Sequence, residues 1–146
     1  PQAMEVLFPG SSRVQRKFSL EIAEFTNRVP VNTGGVTVTP FLNLHPQVDS
    51  SFALRIECDG KIIGYSSDSE WLDSLYDTAR DADLFIAEAY FYEKKAKGHL
   101  DFLTLMSHFG KTGAKRLMLT HMSKEMLSRL GEIDCEYAED GKAITI

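Results

Sequence analysis

Three short stretches each run from an expected strand into a side chain able to bind a metal ion: Phe41-Leu42-Asn43-Leu44-His45, Gly64-Tyr65-Ser66-Ser67-Asp68 and Leu117-Met118-Leu119-Thr120-His121. Strand ends are where a rigid scaffold hands over to loops, so a ligand there is held firmly yet stays open to solvent. Two imidazoles and a carboxylate suit zinc or manganese, and a carboxylate between two metals can bridge both. Each residue also has a plainer reading. A lone His at a strand end is commonly a hydrogen-bonded surface residue, and Asp68 could cap a helix that starts near Trp71.

The elements that would have to position these residues are visible in the hydrophobic periodicity. Residues 2–8 read as the tail of a helix stopped by Pro9-Gly10. Over 17–25, Phe18, Leu20 and Ile22 alternate with Ser19, Glu21 and Ala23, which predicts a strand. Asn32-Thr33-Gly34-Gly35 reads as a turn before a strand over 36–44. Two further strands, 52–58 and 61–65, flank Asp59-Gly60, a strong short hairpin signal. A helix over 71–79 follows, with Trp71, Leu72 and Leu75 as its apolar stripe. The remainder alternates: a buried strand over 84–87, a helix over 100–109, a buried strand over 115–120, a short helix over 124–130, and a last hairpin pivoting on Asp140-Gly141. No repeat or linker interrupts this order. It predicts a single α/β unit, a mixed sheet with helices packed on one face.

The totals narrow the class. An apolar share of 43% is ordinary for a globular protein, no apolar run is long enough for a membrane span, and no signal-peptide pattern opens the chain. Cys58 and Cys135 lie 77 positions apart, fit no ligand or redox spacing, and read as buried thiols of a reducing cytoplasm. A net charge of −5 and a pI near 5.3 offer no footprint for polyanions, which speaks against nucleic acid as a partner but leaves a small phosphate ester open.

The order of the polar pieces resembles the second half of the metallo-β-lactamase superfamily, most closely its ribonuclease Z and phosphodiesterase branch. In that branch a His after a strand precedes a hairpin, an Asp at a Gly-Asp-Thr-like tip follows, and a Glu-Ala pair ends the next strand. A Gly-His then opens a helix and a Thr-His closes the last inner strand. Here those places are taken by His45, Asp68, Glu88-Ala89, Gly98-His99 and Thr120-His121, and the resemblance runs from about Lys17 to the C-terminus. It implies half of a four-layer αββα sandwich. It implies that His45 and His121 each bind one metal of a pair, most simply zinc with manganese as the alternative, and that Asp68 bridges the two. His99 would face the scissile bond as general acid opposite a metal-bound hydroxide, and Glu88 would fix the orientation of His99. His108 matches no motif and reads as a packing or helix-surface residue.

The sequence also departs from that pattern. The signature His-x-His-x-Asp-His is absent: the four histidines are 45, 99, 108 and 121, and no two lie within five positions. The expectation is therefore that residues 1–146 are a C-terminal half-domain, inactive or weakly metal-loaded alone. Its partner would be the missing N-terminal half or a second copy in a homodimer. Ala87 stands before Glu88 where ribonuclease Z enzymes usually carry a His, and the 23 positions from His45 to Asp68 leave no room for a transfer-RNA-gripping arm. A small-molecule phosphodiesterase is expected. The alternatives are a ribonuclease Z-like transfer-RNA 3′-processing endonuclease and a non-catalytic, partner-binding half-domain.

Overall fold

The computed structural model describes residues 2–15, 17–18, 23–46 and 51–146. Seven strands form one sheet in sequential order: β1 (Val31–Thr33), β2 (Val36–Asn43), β3 (Ser51–Cys58), β4 (Lys61–Tyr65), β5 (Leu84–Glu88), β6 (Leu117–Thr120) and β7 (Glu136–Tyr137). The first four pair antiparallel and the last four parallel, so the sheet is mixed. The β3–β4 turn is where the sequence placed it. Asp59 and Gly60 have φ of 50° and 75°, the positive pair that a two-residue turn matched to strand twist requires.

The described structure also has four α-helices, α1 (Gln2–Leu7), α2 (Ser74–Ala79), α3 (Phe102–Phe109) and α4 (Lys124–Ser128), and two short 3-10 turns, Ser11–Arg13 and Leu130–Glu132. Parallel neighbours need crossovers, and α2, α3 and α4 supply them between β4 and β7. All three lie on one face because such crossovers are right-handed. There Phe85, Ala87, Leu117 and Leu119 pack with Ala79, Phe102, Leu105 and Met126, while Phe41 and Ala53 pack with Leu75 in a smaller cluster. Gly64 lets α2 sit close: a Cβ there would lie 2.9 Å from the Thr78 carbonyl oxygen and 3.0 Å from the Phe85 ring.

Two expectations are corrected. The helix expected over 71–79 begins only at Ser74, with Asp73 at its N-cap position, so Asp68 caps no helix and Trp71 packs from the preceding loop against both clusters. The last hairpin does not form. Asp140-Gly141 is a turn, but residues 142–146 are not a strand and β7 pairs parallel to β6 instead, because a turn signal specifies a reversal and not a partner. Of the strand expected over 17–25, residues 17–18 and 23–25 have no strand structure and 19–22 lie outside the described residues. Phe25 instead meets Phe52 edge-on, at 6.2 Å between ring centroids. Cys58 and Cys135 are free and half-buried, and burial pushes the Cys135 thiol up from its ordinary pKa. Among the described residues no helix is long and apolar enough to cross a membrane.

Asp101 fixes the start of α3 and with it the loop that carries His99. Its carboxylate, 3% exposed, accepts from the Thr104 backbone N–H at 2.9 Å, the Thr104 hydroxyl at 2.7 Å and the Lys95 ammonium at 2.7 Å. Burial works to raise its pKa, but the bonds from Lys95 and Thr104 outweigh it and hold the carboxyl below the usual range. A carboxyl depressed on folding contributes stability above its unfolded value of about 3.9, and that stability is lost as pH falls through the folded value. Asp101→Ala is expected to cost about 1–2 kcal/mol at pH 7, the range for losing a helix N-cap. In urea unfolding, the gap between wild type and Asp101→Asn should shrink as pH is lowered below the unfolded value; a gap constant with pH would contradict this assignment.

Candidate metal centre

The C-terminal ends of β4, β5 and β6 lie side by side because the strands are parallel, and the residues just beyond them converge. Asp68, Glu88, His99 and His121 each offer a ligand atom, all within 4.8 Å of one another. Two of these residues sit beside or at a left-handed backbone position: Ser67 has φ 55° and His121 has φ 49°. A single left-handed residue after a strand turns the chain sharply, and such conformations gather at functional sites. Here they coincide with the return of Asp68 and His121 toward Glu88.

Glu88 is the centre of the arrangement. It is 1% exposed, and its carboxylate accepts four hydrogen bonds. Oε2 takes the backbone N–H of Ser69 at 3.0 Å and of Leu100 at 3.1 Å. Oε1 takes His99 Nδ1 at 2.5 Å and His121 Nδ1 at 2.8 Å. Since an ionised carboxylate only accepts, both imidazoles donate through Nδ1, and each presents Nε2 elsewhere. Sequence reading foresaw the bond to His99. It missed the bond to His121 and the two amide bonds, which have no signature because any residue carries a backbone N–H. His121 Nδ1 also lies 3.1 Å from Asp68 Oδ1, and both side chains are 40% exposed.

Neighbouring loops are fastened to this centre. Asn43 donates to the Ser66 carbonyl at 2.5 Å, tying the end of β2 to the loop that carries Asp68. The Glu88 backbone N–H donates to the Ser66 hydroxyl at 2.9 Å, and the Gly98 N–H donates to Glu70 at 2.8 Å. Gly98, with φ 80°, lies so close to the His45-Pro46 segment that a Cβ would meet the Pro46 ring at 2.3 Å. His45 thus stands beside the centre rather than within the group of four, its ring edge-on to His99 with centroids 5.5 Å apart. Tyr90, which sequence reading did not single out, stacks on His99 at 4.6 Å and 22°. His108 is a packing residue: it stacks on Trp71 at 4.4 Å and meets the Tyr76 hydroxyl at 2.6 Å. Beside His99 opens a hollow of about 320 Å³ lined also by Glu70, Trp71, Lys95, Thr104 and His108. The half-exposed His121 imidazole and Asp68 carboxylate, close together, are donors that fit a divalent transition metal, with His99 beside them.

Comparison with known proteins points to one family. Residues 2–122 match the family model described as "Beta-lactamase superfamily domain". The chain is 32% identical over 96 residues to "Probable metallo-hydrolase YhfI" of Bacillus subtilis, covering 64% of this chain and 38% of that protein. The aligned segment therefore spans well under half the length of that curated relative. The crystal structure of YhfI superposes with a TM-score of 0.73 at 23% identity, covering 94% of this chain and 61% of that one. The short form of human tRNase Z gives 0.63 at 25% identity, covering 80% of this chain and 45% of that one. A diphosphatase described as belonging to the PhnP family gives 0.74 at 17%, covering 99% and 55%.

The four bonds to Glu88 generate a direct expectation. Glutamine has the same shape but replaces one acceptor oxygen by an NH₂ donor, so Glu88→Gln must set donors against donors in a buried place. It should destabilise the fold by about 1–3 kcal/mol, the range for a buried polar group left unsatisfied. Glu132→Gln, whose side chain is 57% exposed, serves as control and should be near neutral. Equal urea midpoints for the two variants would show that the carboxylate is not the anchor described.

Proposed function

The chain belongs to the beta-lactamase superfamily domain family, and from that premise we propose that the complete protein is a metal-dependent hydrolase, specifically a phosphodiesterase acting on a small molecule. The observation that carries this reading is the convergence of Asp68, Glu88, His99 and His121 within 4.8 Å at the ends of three parallel strands. Asp68 and His121 would hold metal, with His45 serving the second ion of a pair and Asp68 shared between them; zinc suits these donors best, and manganese is the alternative. A divalent pair supplies a hydrolytic nucleophile at neutral pH and charge stabilisation for phosphoryl oxygens.

The chain's own groups then have distinct tasks. Glu88 fixes His99 through Nδ1, which leaves Nε2 as the atom that can hand a proton to the departing oxygen. The same carboxylate fixes His121 in the complementary role, with Nε2 left for metal. The hollow beside His99 is at the small end of ligand-site volumes and suits the remainder of a small ester. Between His45 and Asp68 the only described elements are β3 and β4, which leaves little chain for an RNA-gripping arm. The likeness to tRNase Z supports phosphodiester chemistry and makes transfer RNA the second reading, but the net charge of −5 weighs against it.

Asp68, His121 and His45 do not by themselves complete two metal sites, and in this reading the further ligands would come from the rest of the complete protein. The sheet itself offers a place for the rest of the fold. Cross-strand partners share a face, so half-buried Leu54, Ile56, Ile63, Tyr65 and Ile86 lie with buried Leu84 and Met118 opposite the helices, outside both described core clusters. In the complete protein this face would meet a second sheet of the same polypeptide. Residues 1–146 alone would pair through it with a second copy or aggregate, since half-buried Leu, Ile and Tyr side chains along one sheet face still leave apolar surface in water. Light scattering on that fragment should give at least a dimer. A soluble 16.4 kDa monomer that binds no hydrophobic dye would remove the half-domain reading.

The catalytic assignment is tested in the complete protein. His99→Ala should lower turnover of an alkyl phosphodiester by about a hundredfold or more, the scale for losing a general acid, with metal content nearly unchanged. Loss of metal along with activity would make His99 a ligand and overturn its assigned role.

A further inference from the structure

The bond to Glu88 fixes His99 at a single ring atom, Nδ1. A ring held at one atom can still tilt about that contact, and Nε2, at its far side, would swing through the largest arc. The face of Tyr90 closes off that motion. Its ring lies 22° from parallel to His99 with centroids 4.6 Å apart, and it also meets His121 at 5.1 Å and 48°. Tyr90 is itself held in place. Its backbone N–H donates to the Leu100 carbonyl at 2.8 Å, and its carbonyl accepts from the Ser123 N–H at 2.9 Å. Phe91 backs its ring edge-on at 4.8 Å. Leu100 adjoins His99 and Ser123 follows His121 by two residues, so the wall is tied to the two loops whose imidazoles it touches.

We propose that Tyr90 is a positioning residue: its ring plane sets the tilt of His99, and thereby the direction from which Nε2 delivers its proton, in register with His121. This rests on the reading of His99 as the acid. The aromatic plane is what the role requires. Phenylalanine keeps it, whereas leucine fills similar space without a flat face. Aligned proton delivery matters for a leaving oxygen that departs poorly without a proton, and hardly at all for one that departs as a stable anion.

The experiment uses the complete, metal-loaded protein as wild type, Tyr90→Phe and Tyr90→Leu, with two diesters of one phosphoryl group, one losing an alkyl alcohol and the other 4-nitrophenol. Tyr90→Leu is expected to lower kcat for the alkyl ester about tenfold, within the range for a displaced catalytic group. It should leave the nitrophenyl ester nearly unchanged, and Tyr90→Phe should behave as wild type on both. Equal losses on the two esters, or no loss on the alkyl ester, would overturn the proposal. Carbon-bound proton resonances of the His99 ring give a readout independent of turnover. Stacking predicts an upfield displacement in wild type and Tyr90→Phe that disappears in Tyr90→Leu; its absence from wild type would also overturn the proposal. If neither ester is hydrolysed by wild type, the phosphodiesterase reading fails, while these resonances still decide whether Tyr90 sets the ring.

Discussion

A carboxylate taken almost wholly out of water must be matched by donors, because an unpaired buried charge costs several kcal/mol. Glu88 meets this requirement with two imidazole and two backbone N–H groups, drawn from three different loops. That demand organises the site. The Ser69 amide can reach Oε2 only if the Asp68 loop folds back over β5. The Leu100 amide can reach it only if the chain between Tyr90 and His99 returns to the same strand end. One buried charge thus brings the Asp68 loop, the His99 loop and His121 to a common point.

The parallel half of the sheet makes this possible. β4, β5 and β6 run in the same direction, so their ends are adjacent and their loops emerge on one side. An antiparallel arrangement would send alternate loops to opposite ends. The helices fill the face behind, and the close approach of α2 at Gly64 keeps the sheet and the helix layer in a fixed relation. Rigid strands behind short, cross-bonded loops are the arrangement in which catalytic side chains keep their orientation.

The antiparallel half contributes differently. β2 brings His45 to the same end of the sheet, and Asn43 and Gly98 fasten that end to the Asp68 and His99 loops. His45 ends beside His99 rather than inside the tight group.

How much of this was legible before folding depends on whether the signal is local. Strand ends carrying His45, Asp68 and His121 could be read because alternation and apolar runs report which residues enter a sheet. The turn at Asp59-Gly60 could be read because only a few residue pairs tolerate positive φ twice. The same local logic was insufficient for the last hairpin, where a turn exists but pairing depends on which edge is free. It also misplaced the start of α2, since the burial of Trp71 looks the same from sequence whether a helix or a loop provides it. The sequence by itself determined the kinds of donor, their order and the strands that carry them. Only the tertiary structure decided that Glu88 serves both histidines, that two anonymous amides complete its shell, and that Tyr90 lies flat against His99. Those contacts join residues many positions apart through backbone groups and ring faces, and such groups leave no pattern in the order of residues.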